Sequence, residues 1–152
     1  MILDQFIDFT RLRSLSFDDV FPEGGRHTQM PDPFDEGIRN AMISTAQDLK
    51  IKHHKRGTVI TIEGNRFSTR AESHMFRAWG ADVINMSIAP ECILANEAGI
   101  PYAAVAMSTD YDCWKEDEAP VSWDDILEVF KANVDKVTQL LVNTIPKLTA
   151  GA

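Results

Sequence analysis

Gly57-Thr58-Val59-Ile60-Thr61-Ile62 is the stretch whose reading decides the fold. Its β-branched residues favour a pleated, buried segment, and Glu63-Gly64-Asn65 ends it with turn-forming residues. A helix follows. Ser68 is placed to cap it, Glu72 falls in its first turns, and it runs through Trp79 to a stop at Gly80. Asp82 to Ile88 reads as a second buried strand, and Pro90 to Ala98 as a short helix closed by Gly99. Pro101 to Met107 reads as a third strand. Strands alternating with helices predict an α/β layer structure.

The flanks extend this pattern. Met1 to Ile7 reads as a further short strand, so the chain offers about four. Phe9 to Phe34 carries Pro22, Gly24, Gly25, Pro31 and Pro33 with little periodicity, and long irregular segments of this kind are usually functional or disordered. Asp35 is an N-cap candidate for a helix to Lys50, with Ile38, Met42, Ala46 and Leu49 on one stripe. Ser122 precedes Trp123-Asp124-Asp125, a hydroxyl cap with an acid at the third helical position. Apolar Ile126, Phe130, Val134, Val137 and Leu141 continue that helix to Pro146. No internal repeat, low-complexity tract or boundary divides residues 1–152, which read as one domain.

The bulk composition narrows the function classes. A domain of 152 residues buries roughly 68–70% of its unfolded surface. With 44% apolar and 25% charged residues, the composition is that of an ordinary soluble globular protein. The net charge of −8 leaves Lys52-His53-His54-Lys55-Arg56 as the one basic run. Nucleic acid and anionic membranes both need a clustered basic face, so neither is expected as a partner. Two cysteines, Cys92 and Cys113, make no disulfide framework and no metal-ligand spacing. Nothing at Met1-Ile2-Leu3-Asp4 resembles a signal peptide, and a cytoplasmic location is expected.

Ser108-Thr109-Asp110-Tyr111-Asp112 places two carboxylates one residue apart at the end of a strand-like run. Asp is a poor strand former and costly to bury unpaired, and open α/β sheets bind ligands outside the carboxyl ends of their strands. The pair therefore marks a candidate site for a planar ligand with two hydrogen-bonding edges. Spacing alone fits better a turn whose carboxylates cap a following helix.

Three segments carry a resemblance: Gly57 to Glu72, Trp79 to Met86, and Ala106 to Trp114 with its Thr109-Asp110-Tyr111-Asp112 core. Together with Asp4 to Asp8 and His27 through Phe34, they resemble the 5′-methylthioadenosine phosphorylases, in the trimeric branch of the purine nucleoside phosphorylase family. The chain resembles the C-terminal portion only. The resemblance implies a partial fold of that kind, a mixed sheet flanked by helices with its N-terminal strands missing. A Gly-rich phosphate loop, an Arg-His pair and a backbone stretch beside the ribose have no counterpart here, and the chain stops soon after Pro146, where the family usually continues.

The resemblance also implies roles. Asp110 would hold the proton at purine N7, its pKa raised by partial burial beside a second carboxylate. Asp112 would accept the exocyclic 6-amino group, and Phe67 would stack on the base. A Phe at a helix start is otherwise ordinary core. Met86 would contact the ribose and Ser87 the phosphate, both from strand positions whose plainer reading is core packing. Ser87 replaces the Thr usual there, keeping the hydroxyl, and Asn65 stands where the family often has Pro. His27, Trp123 and Ile126 match positions near the 5′ substituent, with His27 reaching a neighbouring subunit's site; Trp123 replaces a smaller aliphatic residue. His53, His54 and His74 carry no role.

The implied reaction is phosphorolysis of 5′-methylthioadenosine to adenine and 5-methylthioribose 1-phosphate, a pentosyl transfer with phosphate as co-substrate and no metal or other cofactor. Partners would be the nucleoside, phosphate, and either further copies (a trimer in the family) or a complementary N-terminal half. The competing reading is a truncated, inactive binding module for adenine-like or other flat aromatic ligands. Hydrolysis with water replacing phosphate ranks last, because no general base offers itself beyond the acids already assigned.

Overall fold

The β-branched run extends as read and becomes the centre of a sheet. In the computed structural model, which describes residues 1–24, 26–117 and 122–149, three strands form: β1 (Gln5–Phe9), β2 (Thr58–Ile62) and β3 (Val83–Asn85). They lie parallel in the order β1-β2-β3, with Gln5 opposite Thr58, Phe9 opposite Ile62 and Thr61 opposite Asn85. A central parallel strand is covered on both faces, so its alternate side chains enter two cores. Val59 packs with Leu3, Phe34, Ile88 and Cys92 on one face. Ile60 and Ile62 pack with Phe76 on the other.

Four helices accompany the sheet, α1 (Glu36–Asp48), α2 (Arg70–Ala78), α3 (Ile88–Glu97) and α4 (Trp123–Thr149), with α3 against β1 and β2 and α4 against α1. Asp35 caps α1 by accepting the Ile38 N–H at 2.7 Å, and Met42 and Ala46 of the expected stripe are buried. Gly80 and Gly99 end α2 and α3 with φ of 86° and 70°. At each, the glycine N–H and the one after it return to the last turn, Gly80 to Arg77 and Ala81 to Phe76, Gly99 to Asn96 and Ile100 to Ala95. That is the left-handed ending glycine permits at no steric cost. At the end of α1 the same pattern is made by Lys50, at φ 55°.

Several boundaries differ from expectation for identifiable reasons. The first strand starts at Gln5 and runs to Phe9, because Met1 to Leu3 turn to residues 104–106 instead. Leu3 N–H donates to Ala104, Ala106 N–H donates to Met1, and Ile2 bridges Val105 antiparallel. Pro101 to Met107 is therefore not a strand of the sheet. It holds this bridge, the antiparallel component of the pairing. The cap of α2 is Thr69 rather than Ser68, since Glu72 then falls at the third helical position and closes a capping box. The strand expected to Ile88 ends at Asn85, and α3 starts at Ile88, so Met86 and Ser87 sit in the turn between them.

The last helix keeps its expected cap, with Ser122 and Asp125 bonded reciprocally. It continues past Pro146 to Thr149 because its end is tied to α1, where Lys147 Nζ reaches Asp48 at 2.7 Å and Ser44 at 3.2 Å. Its apolar stripe is buried only in part. Leu140 and Thr144 are buried, whereas Phe130 and Leu141 of the expected stripe are each 46% exposed.

The three helix ends yield a paired expectation. Gly80→Ala should lower stability by about 1–2 kcal/mol, the cost of a left-handed Cβ, since nothing else lies within 4 Å of that position. Lys50→Gly should raise stability by about 1 kcal/mol for the converse reason. Urea midpoints at unchanged m-value would check both signs.

Candidate active site

The carboxyl ends of β2 and β3 lead into three of the candidate residues, Phe67, Met86 and Ser87. Phe67 follows β2 on a short loop into α2 and is 48% exposed. That loop is clamped at both ends. Arg66 makes a two-pronged contact with the Glu72 carboxylate, both N···O distances 2.7 Å, and Glu72 also accepts the Thr69 N–H at 2.7 Å. The Arg66 fork, then the Thr69 N–H, hold the Glu72 carboxyl down at about 2. An exposed ring on a fixed loop is a preformed stacking surface.

Residues 108–117 fold back onto α2 and bring the two acids to the same loop. The Cys113 thiol donates to the Ser68 carbonyl at 3.3 Å, and the Cys113 carbonyl accepts Arg70 Nε at 3.3 Å. Burial, then the charge of Asp112, pushes that thiol up. One helical face along, the Arg77 guanidinium lies 3.7 Å from the centre of the Trp114 ring, which meets Tyr111 edge-on. Contacts of this kind contribute about 0.5–1 kcal/mol at exposed positions.

Within this segment the acids differ. Asp110 is exposed rather than partly buried as expected, because the segment packs on α2 from one side only. Its carboxylate accepts the Thr109 hydroxyl at 2.6 Å and the Asp112 N–H at 2.8 Å, so the pair does form a tight Asx turn. Asp112 sits at φ 57° and is half-buried. Its Oδ2 is buried without a hydrogen-bond donor, an expensive state for a carboxylate oxygen and one that a ligand N–H relieves.

Ser87 is exposed at the N-cap of α3, and its hydroxyl makes no capping bond. Met86 is half-buried and packs beside the Ile60–Phe76 cluster. Behind them lies Thr61, whose hydroxyl donates to Asn85 Oδ1 at 2.8 Å and accepts the Ala89 N–H at 3.0 Å, tying β2, β3 and α3 together. His27 is exposed in the loop after β1, Trp123 is 64% exposed and Ile126 half-buried on the first turns of α4. No hydrogen bond or ring contact among the described residues joins these three to the Phe67–Asp112 group.

Sequence reasoning missed Arg13, Glu63, Arg66, Arg77 and Thr61. Only Thr61 left a local signal, a hydroxyl inside a buried apolar run. The others act over contacts of 6 to 73 residues in separation or through a ring, which no local pattern reveals.

An exposed aromatic ring, a buried carboxylate oxygen without a donor and an uncapped hydroxyl make this end of the α/β layers the candidate ligand site. The chain belongs to the phosphorylase superfamily, whose profile matches residues 1–146. Within it, the chain is similar to S-methyl-5′-thioadenosine phosphorylases. It is 52% identical to that of Xenopus tropicalis over 99% of this chain and 54% of the relative, and 50% identical to that of Danio rerio over 97% and 54%. Among solved structures, a variant of the Schistosoma mansoni adenosine/methylthioadenosine phosphorylase in complex with adenine matches at a TM-score of 0.90 and 36% identity. That match covers 98% of this chain and 59% of the other. A second variant of that enzyme, in complex with methylthioadenosine, matches at 0.88. The chain thus spans about half the length of the relatives it matches.

The Glu72 clamp has a pH signature. A carboxyl depressed in the folded state stabilises fully above its ordinary value of 4.5, and that contribution fades as pH falls toward 2. Fluorescence or amide signals from the Phe67 loop should therefore change between pH 4.5 and 2, and Glu72→Gln should show the loosened state already at pH 7.

Proposed function

We propose that this chain carries the base-reading half of a 5′-methylthioadenosine phosphorylase, an enzyme of the cytoplasm that works as an oligomer or with a complementary N-terminal half. The observation that carries the reading is Asp112 Oδ2, buried and lacking a donor within one hydrogen-bonded segment of the exposed Phe67 ring. A 6-aminopurine supplies both missing partners, a flat face for Phe67 and an N–H for Asp112. A 6-oxopurine would set acceptor against acceptor.

Phosphorolysis breaks the C1′–N9 bond, whose electron pair leaves with the purine, and forms a bond from C1′ to a phosphate oxygen. Charge gathering on the departing base is relieved by a proton at N7. Asp110 is the catalytic residue for that proton. Exposed in this chain, it becomes enclosed when the substrate and the remaining subunit surface cover the segment. Ser87 supports a phosphate oxygen through its uncapped hydroxyl at the positive end of α3, Met86 faces the ribose, and His27, Trp123 and Ile126 line the 5′ side. Phosphate is the only co-substrate.

Calorimetry with adenine should give one site per chain. Phe67→Ala should weaken it about 3- to 10-fold, the worth of an aromatic stack. Asp112→Ala should weaken it about 10- to 100-fold, the worth of a charged hydrogen bond. Methylthioadenosine with phosphate should release adenine only when phosphate is present. Adenine binding with no phosphate-dependent release would reduce the chain to a binding module, and no adenine binding at all would sink the reading.

A further inference from the structure

One carboxylate at the end of β2 holds the loop that leaves β1. Glu63 Oε2 accepts the N–H groups of Arg11 at 2.8 Å and Leu12 at 3.0 Å, and Oε1 meets Arg13 Nε at 2.5 Å. The same guanidinium donates from Nη1 to the Met86 carbonyl at 3.0 Å. Both side chains are 29% exposed, so water only partly screens the pair. Arg13 thus spans from the end of β2 to the end of β3. A planar fork can serve two acceptors on different edges, which a single ammonium centre at the end of a flexible stem does not reproduce.

The peptide following Met86 makes this contact consequential. In a trans peptide the carbonyl and the next N–H point in opposite directions. Holding the Met86 carbonyl on Arg13 therefore turns the Ser87 N–H away from Arg13, at the N-cap of α3 where the Ser87 hydroxyl is also unbonded. The neighbouring Ala89 N–H is already taken by Thr61. The base end has a separate clamp in Arg66 and Glu72.

The geometry points to Arg13 and Glu63 as a positioning pair that fixes the Met86–Ser87 peptide for an anion at Ser87, independently of the clamp that serves Phe67. The role rests on the phosphorolysis reading, in which that anion is phosphate.

Nitrogen-resolved NMR of the full chain tests it. Arg13→Ala and the conservative Arg13→Lys should both shift the Ser87 and Ile88 amides and speed their exchange, leaving Phe67 and Thr69 in place. Glu72→Gln should do the reverse. Titrated with inorganic phosphate, both Arg13 variants should bind about tenfold more weakly than wild type while adenine affinity stays within twofold. Unmoved Ser87 amides in Arg13→Lys and Arg13→Ala would overturn the pair, as would equal losses for phosphate and adenine. Full phosphate affinity in Arg13→Lys would overturn it too, by indicating a plain charge effect. Wild type that binds adenine but not phosphate refutes the anion role. Wild type that binds neither counts against phosphorolysis itself, and the amide comparison then decides the pair alone.

Discussion

Everything in this molecule depends on β2 being buried on both faces. Val59, Ile60 and Thr61 are fully enclosed, and a strand in that position cannot slip by one residue without moving each side chain into the opposite core. Register at β2 fixes where Ile62 ends and where Glu63 begins, and from there where the Phe67 loop leaves. Through Thr61 and Asn85 it also fixes the end of β3 and the start of α3. The candidate site is a set of loops hung from one strand whose placement is overdetermined by packing.

Much of this frame is legible in the residues. The Asp35 and Ser122 caps, the glycine stops at 80 and 99, and the β-branched run at 58–62 are local devices, each with its mechanism in a few adjacent side chains. The weaker readings share a different cause. Whether Met1 to Leu3 pair with residues 58–62 or 104–106 is a contest between long-range partners, and alternation alone cannot arbitrate it. Ser68 and Thr69 are equally good caps until the distance to Glu72 is counted. For the site, the residues at 67, 110 and 112 are picked out by the resemblance, whereas the exposure of Asp110 depends on how its segment packs against α2, which no local pattern reveals.

The apolar faces left open follow the same logic. On α4, Leu141, Ile145 and Leu148 are exposed at spacings of four and three, while Leu140 and Thr144 are buried. A helix with apolar residues on two sides is built for two neighbours. That open second side is why the stripe's burial falls short of expectation.

Acidic residues do more here than give the chain its net charge. Asp4, Asp35, Glu63, Glu72, Asp82, Glu97 and Asp125 each accept a backbone N–H, and most of these bonds join distant loops or close a helix start. The first part of the irregular segment after β1 is fastened in this way, by Glu63 at residues 11–13 and by Glu97 at residues 16–17. The β2 core itself closes on apolar side chains, and Asp4 and Asp82 meet only the Gly57 and Thr58 N–H groups where the strand begins. Glu63 and Glu72 are both held below the usual carboxylate range by these bonds, so residues 11–13 and the Phe67 loop share one sensitivity to acid although they leave different strands.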